Sequence, residues 1–134
     1  ESGDFMRSRG EEICRQLLAA GGAFEYAGEP IDAVFSCNDG MTLGLLDVLD
    51  QQGIGTGTGS SVTVVTVDAQ QEAVDRLKEG RINCVVECNP EQGTVVMDLA
   101  RKLAAGQAIP RSTIVSGQVF TEYDDLSSLP ARKY

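Results

Sequence analysis

Phe35-Ser36-Cys37-Asn38-Asp39-Gly40-Met41 and, thirty residues on, Val65-Thr66-Val67-Asp68-Ala69 decide how this chain folds. Each is an apolar, strand-like run that ends abruptly in side chains able to hydrogen-bond, and a helical pattern follows each at once. Strands joined through such a crossover run parallel, because antiparallel neighbours need only a short turn. Asn38, Asp39 and Asp68 therefore fall at the carboxyl ends of adjacent parallel strands, where open α/β sheets bind their ligands. Their chemistry suits a small neutral hydroxylated molecule. Carboxylate and amide oxygens accept from hydroxyls, and an amide NH₂ donates to them.

Outward from these two peptides the pattern keeps alternating. Residues 8–20 place Ile13, Cys14, Leu17 and Leu18 on one helical face, with Gly21-Gly22 as a stop. Residues 31–37 read as a buried strand, 40–52 as a helix with Met41, Leu45, Val48 and Leu49 on one side, and 61–67 as a β-branched central strand. Between them Gly53–Ser61 reads as a flexible Gly/Thr/Ser connector. A third helix over 69–79 closes on Gly80, a third strand spans 82–88, and Pro90 opens a helix carrying Val95, Val96, Leu99 and Leu103 that ends at Gly106. A last short strand is predicted over 113–116, and the tail reads as irregular. This alternation means an α/β fold, a mostly parallel sheet covered by helices on both faces.

The chain has 134 residues, the size of one domain, with 42% hydrophobic residues to build a core. A net charge of −9 argues against nucleic acid or an anionic membrane as partner. No apolar run approaches the ~18 residues of a membrane span. No signal peptide is visible, and the polar start Glu1-Ser2-Gly3-Asp4 reads as cut from something longer.

Other chemistries find little support. The Gly53-Ile54-Gly55-Thr56-Gly57-Thr58-Gly59 loop follows a helix and precedes a strand, the reverse of a phosphate-binding turn, and lacks the Lys-Ser/Thr ending. Asp39 and Asp68 could serve as paired carboxylates. Yet histidine is absent and no nucleophile sits beside a base, so no catalytic residue is assigned and an enzyme is not expected. Cysteines 14, 37, 84 and 88 lack metal-ligand spacing, so buried free thiols are expected, no metal and no cofactor. A Cys14–Cys37 bridge is left open.

The run from Phe35 to Gly44 is similar to the strand-to-helix signature of type 1 periplasmic sugar-binding proteins. So are Val67-Asp68-Ala69, Gly80-Arg81-Ile82-Asn83 and Glu87-Cys88-Asn89-Pro90. The opening Ser2 to Ser8 and the ending Leu129 to Tyr134 look most like the branch that includes galactofuranose-binding proteins of ABC importers. The resemblance covers essentially the whole chain, in order. It implies a Rossmann-like three-layer sandwich forming one lobe of two, with the sugar clamped between the lobes. Residues 1–134 would be the carboxyl-terminal lobe, without the amino-terminal lobe or the first strand of its own. Residues 90–106 would pack on the other lobe, so self-association through that helix is expected, with exchange of 90–116 or docking elsewhere.

Carried across by the resemblance, Phe5 matches the aromatic that packs on the sugar ring, Asn38 the amide that reads hydroxyls, and Asp68 the bidentate carboxylate. A further polar position falls on Cys88, whose thiol is a poor replacement for an amide, with Glu87 as the neighbouring alternative. The implied partners are a monosaccharide, pentose or hexose, the furanose form included, and an ABC permease. The implied place is the periplasm or the outer face of a membrane, by tethering. A second family of the same fold, the effector domain of LacI-type transcription repressors, is the alternative.

Overall fold

The computed structural model describes residues 2–18 and 21–134. Glu1, Ala19 and Ala20 lie outside the described residues, and with them the end of the first expected helix. The elements in order are α1 (Arg7–Gln16), β1 (Glu25–Tyr26), β2 (Glu29–Pro30), β3 (Ala33–Phe35), α2 (Asp39–Gln51), β4 (Thr63–Asp68), α3 (Gln71–Lys78), β5 (Cys84–Glu87), α4 (Gly93–Ala104) and β6 (Val119–Thr121). Strands β3-β4-β5-β6 lie in that order in one sheet; the first three are parallel and β6 is antiparallel. The expected α/β class, with a mostly parallel sheet, is what forms.

Right-handed crossovers that step steadily along a sheet put their helices on the same face. On that face Val64, Thr66 and Val85 are fully buried, and Phe120 of β6, register partner of Val85, joins them. Ala73, Val74 and Leu77 of α3 and Leu46, Val48 and Leu49 of α2 close the core from above. On the other face Val65, Val67, Cys84 and Val86 are half-buried, while Phe35 and Val119 on the outer strands are 70% and 59% exposed. Among the described residues α4 buries none of its side chains there, so the expected helical cover on both faces is not what forms.

Helix α1 lies tightly on α2 because glycines meet at the crossing. A Cβ on Gly10 would fall 2.1 Å from the Met41 carbonyl oxygen, and one on Gly44 2.1 Å from that of Arg7. Arg7 then pairs with Asp47 of α2 at 2.7 Å and Glu72 of α3 at 2.9 Å, linking three helices.

Several sequence expectations shift. The final strand forms at Val119–Thr121 instead of 113–116, because Phe120 can reach the core whereas Ile114 is left 91% exposed. The β1–β2 hairpin was not anticipated. Its turn residues Ala27 and Gly28 both have positive φ (54° and 83°), the geometry of a tight two-residue turn. The glycine-rich connector is pinned instead of flexible. The Thr58 N–H donates to the Gly80 carbonyl at 2.9 Å and the Thr56 hydroxyl to that of Arg81 at 2.9 Å. All four cysteines are free thiols, so the Cys14–Cys37 bridge is not made, but of the expected buried thiols only Cys14 is buried. Cys84 is half-buried and Cys37 and Cys88 are exposed, and burial pushes the Cys14 thiol up to about 11.

Candidate functional site

The carboxyl edge of the parallel strands carries the polar residues. Strand β3 ends at Phe35, and Ser36 N–H still donates to Val65 of β4 at 2.9 Å. Asn38 follows in extended conformation as the N-cap of α2: its Oδ1 accepts the Met41 N–H at 3.0 Å. Its Nδ2 donates to the Phe5 carbonyl at 3.3 Å, drawing the amino-terminal turn to the same edge. Phe5 sits there with φ of 60° and is 70% exposed. Asn38 is 8% exposed, so what it can offer a ligand is a single amide hydrogen and a spare lone pair.

Asp68 ends β4 half-buried, with φ of 119°. Burial pushes its carboxyl above the usual range, opposed by the Asp39 backbone N–H and the Gln70 side chain. The Asp39 N–H belongs to the first turn of α2, next to Asn38. Asn38 and Asp68 thus share one edge. Among the described residues no cation pairs with Asp68.

Asp39 does not join the polar groups open at the edge, where its place in the sequence put it. Asn38 is the cap, and the Asp39 carboxylate turns inward with no exposed surface. It accepts the Thr66 hydroxyl at 2.7 Å and the Gln70 N–H at 2.7 Å. Burial raises its pKa to about 6 against those donors. A group sealed in this way touches no substrate, which leaves Asp39 out of any acid–base pair with Asp68.

Glu87 is Asp68's register partner on β5, but its carboxylate is already engaged. One oxygen takes the Arg132 guanidinium and the Tyr134 hydroxyl (2.7 Å), the other the Gln118 N–H (2.9 Å). Although burial pushes the Glu87 carboxyl up, Tyr134 and Arg132 hold it below its usual range. Cys88 is exposed, and its N–H donates to the Asp68 carbonyl at 3.2 Å. Of the two, Cys88 alone is exposed.

Sequence reading assigned no role to Arg132. Its side chain stacks on Phe120 and Tyr134, and its Nε donates to the Ala69 carbonyl at 3.3 Å. The irregular tail therefore buttresses the Asp68–Ala69 turn from beneath. The only trace in sequence is a cation between a proline and a tyrosine near the end, which means nothing until the tail is folded back. A separate apolar groove of about 430 Å³ runs along β3 beside α1 and α2, lined by Ile13, Phe24 and Val34 among others, away from Asp68.

An open, mostly parallel α/β sheet thus carries an amide, a carboxylate and the turn that bears Phe5 at its carboxyl edge. The chain belongs to the periplasmic binding protein domain family, whose model matches residues 9–108. It is 26% identical over 110 residues to the galactofuranose-binding protein YtfQ of Escherichia coli (strain K12), covering 82% of this chain and 33% of that protein. It is likewise 26% identical over 114 residues to the ribose import binding protein RbsB of Bacillus subtilis (strain 168), covering 84% and 33%. Among solved structures, a Mycobacterium smegmatis protein in complex with β-D-fucofuranose superposes with a TM-score of 0.78 at 34% identity, covering 91% of this chain and 37% of that one. The periplasmic binding component of the Shewanella sp. ANA-3 arabinose ABC transporter, bound to L-arabinofuranose, gives 0.77 at 28% identity, covering 91% and 38%. The chain spans about a third of the length of the curated relatives it matches.

Proposed function

We propose that residues 1–134 are the carboxyl-terminal lobe of an extracytoplasmic sugar-binding protein that feeds an ABC importer. One observation carries the reading: Asn38, just past the end of β3, and Asp68, the last residue of β4, lie at one edge of adjacent parallel strands, with the exposed residue Phe5 held there through its carbonyl by Asn38. In this role the Phe5 ring covers the C–H face of a pentose or hexose, in furanose or pyranose form, while Asp68 and Asn38 read hydroxyls. Cys88 lines the rim; Glu87 serves the lobe as an internal ion pair instead of a sugar contact. Closure of a second lobe excludes water and presents a surface to the permease. The lobe does no chemistry. Its place would be the periplasm or the outer membrane face.

The amino-terminal lobe would cover α4, which buries none of its residues here. The repressor reading is not favoured, since the relatives named are import and sugar-binding proteins.

Calorimetry tests the reading. The two-lobe protein titrated with D-galactose, L-arabinose, D-ribose, D-fructose and D-fucose should bind at least one. Asp68→Ala should weaken that binding about 100-fold or more, the worth of roughly 3 kcal/mol of charge-assisted hydrogen bonding. The isolated chain should give no measurable heat, since one wall of the cleft is missing. Absence of binding by the two-lobe protein, or an Asp68→Ala variant that binds like the parent, would overturn the assignment.

A further inference from the structure

Asp68 and Ala69 stand in backbone conformations that residues with a Cβ avoid: φ is 119° and 65° in succession. By Gln70 the backbone is back at φ −63°. A kink of this kind persists only where its surroundings over-determine it. One carboxylate grips it from both sides. Asp39 Oδ1 accepts from Thr66, two residues before Asp68, and Oδ2 accepts from the N–H of Gln70, two residues after it. Asp39 is itself fully buried at the first helical position of α2. The Thr42 hydroxyl, 2.7 Å from that of Thr66, ties the pair to the next turn. The carbonyls of the kink are held separately, Asp68 by the Cys88 N–H at 3.2 Å and Ala69 by Arg132 at 3.3 Å.

We infer that Asp39 is a positioning residue for Asp68: its buried carboxylate holds the Asp68–Ala69 kink and so aims the Asp68 side chain at the edge shared with Asn38. The inference rests on the sugar-binding reading for what Asp68 does there, but not for the kink itself. It also explains why a carboxylate is sealed where it can meet no ligand. Two donors four residues apart need an acceptor at each end of one small rigid group, and a carboxylate provides both.

NMR on the chain as it stands decides it. The amide–Hα couplings of Asp68 and Ala69 report φ, and the Gln70 amide proton reports its charge-assisted bond through a downfield shift. In Asp39→Ala the couplings should move to extended values and the Gln70 shift should collapse, with the core amides of Leu46 and Val85 still protected. Asp39→Asn should restore both signals in part, because an amide oxygen still accepts from Gln70 while its NH₂ donates to Thr66. Adding Ala69→Gly to Asp39→Ala should return the Asp68 coupling to its parental value, since glycine adopts the kink without steric penalty; a merely structural role predicts no such rescue. Thr66→Val, of similar size, removes one grip and should shift the coupling partway if Asp39→Ala does not fold. An unchanged Asp68 coupling in folded Asp39→Ala, or in Thr66→Val where Asp39→Ala does not fold, would overturn the inference. An L-arabinose titration of the two-lobe protein is read separately. Absence of binding there would sink the sugar reading and leave the coupling result standing.

Discussion

Two amphipathic helices on the same chain meet opposite fates. In α3, Ala73, Val74 and Leu77 are buried against the sheet. In α4, Val95, Val96 and Leu99 repeat the same spacing with none of them buried, and Val96 and Leu103 are each 57% exposed. Between Ala33 and Glu87 each parallel strand is followed by a helix or strand that returns to the sheet, whereas residues 88–118 include no buried position. An apolar stripe makes a helix able to pack; a surface at the right distance is what lets it do so. The first region carries its own partner. The second awaits one, and the proposed amino-terminal lobe would supply it.

The sharpest way to break this contrast is to place the same small substitution in both regions. Gly44→Ala drives a methyl into the Arg7 backbone and should destabilise the chain by about 3 kcal/mol or more. Gly93→Ala, at the start of α4, meets nothing within 4 Å and should stay within about 0.5 kcal/mol of the parent. Urea melts read both. Similar losses at the two sites would mean that α4 belongs to the cooperative core.

Acid titration sharpens the comparison within the first region, since its two engaged carboxylates pull in opposite directions. Asp39 is raised from 3.8 to about 6, so the native state holds more protons than the unfolded chain across that window. Its contribution makes stability fall as pH rises from about 4 to 6, by at most about 3 kcal/mol, and Asp68 leans the same way. Glu87 is held below 4.5, so what it contributes is present above that value and is lost as pH drops through its depressed pKa. Urea midpoints against pH should therefore pass through a maximum. Asp39→Asn should flatten the limb above it and Glu87→Gln the limb below it. A parent profile that rises steadily from pH 4 to 6 would contradict the burial of Asp39.

The smallest effect concerns the second region alone. Light scattering across a dilution series should show self-association of the isolated chain through α4, since exposed contiguous apolar surface finds partners. Val96→Asp should abolish it while leaving the urea midpoint within about 0.5 kcal/mol of the parent. A chain that stays monomeric at high concentration would end the idea that α4 wants a partner.

Much of this molecule is readable along the chain. The strands near Phe35, Val65 and Val85 and the helices after them follow from apolar runs and from the Asx residues that end them, because period and capping are local properties. Asn38 and Asp68 were legible as edge residues for the same reason: a strand's last residue and a helix's first are fixed by neighbours a few positions away. What the tail does was not. Arg132 reaches Glu87 and Ala69 across 45 and 63 residues, and no local pattern encodes such a contact. The inward turn of Asp39 was equally hidden, since a cap and a buried clamp look identical in sequence until Thr66 and Gln70 are brought beside it. The choice of Val119–Thr121 over the more β-branched 113–116 depended on which segment could set an aromatic ring into an existing core. Sequence alone thus determined the elements and the edge where polar groups collect, because hydrogen-bonding period and chain stiffness act over a few residues. Only the tertiary structure decided which carboxylate stays partly open at the sheet edge, which is sealed and which is neutralised, because those outcomes depend on groups that the chain must fold to bring together.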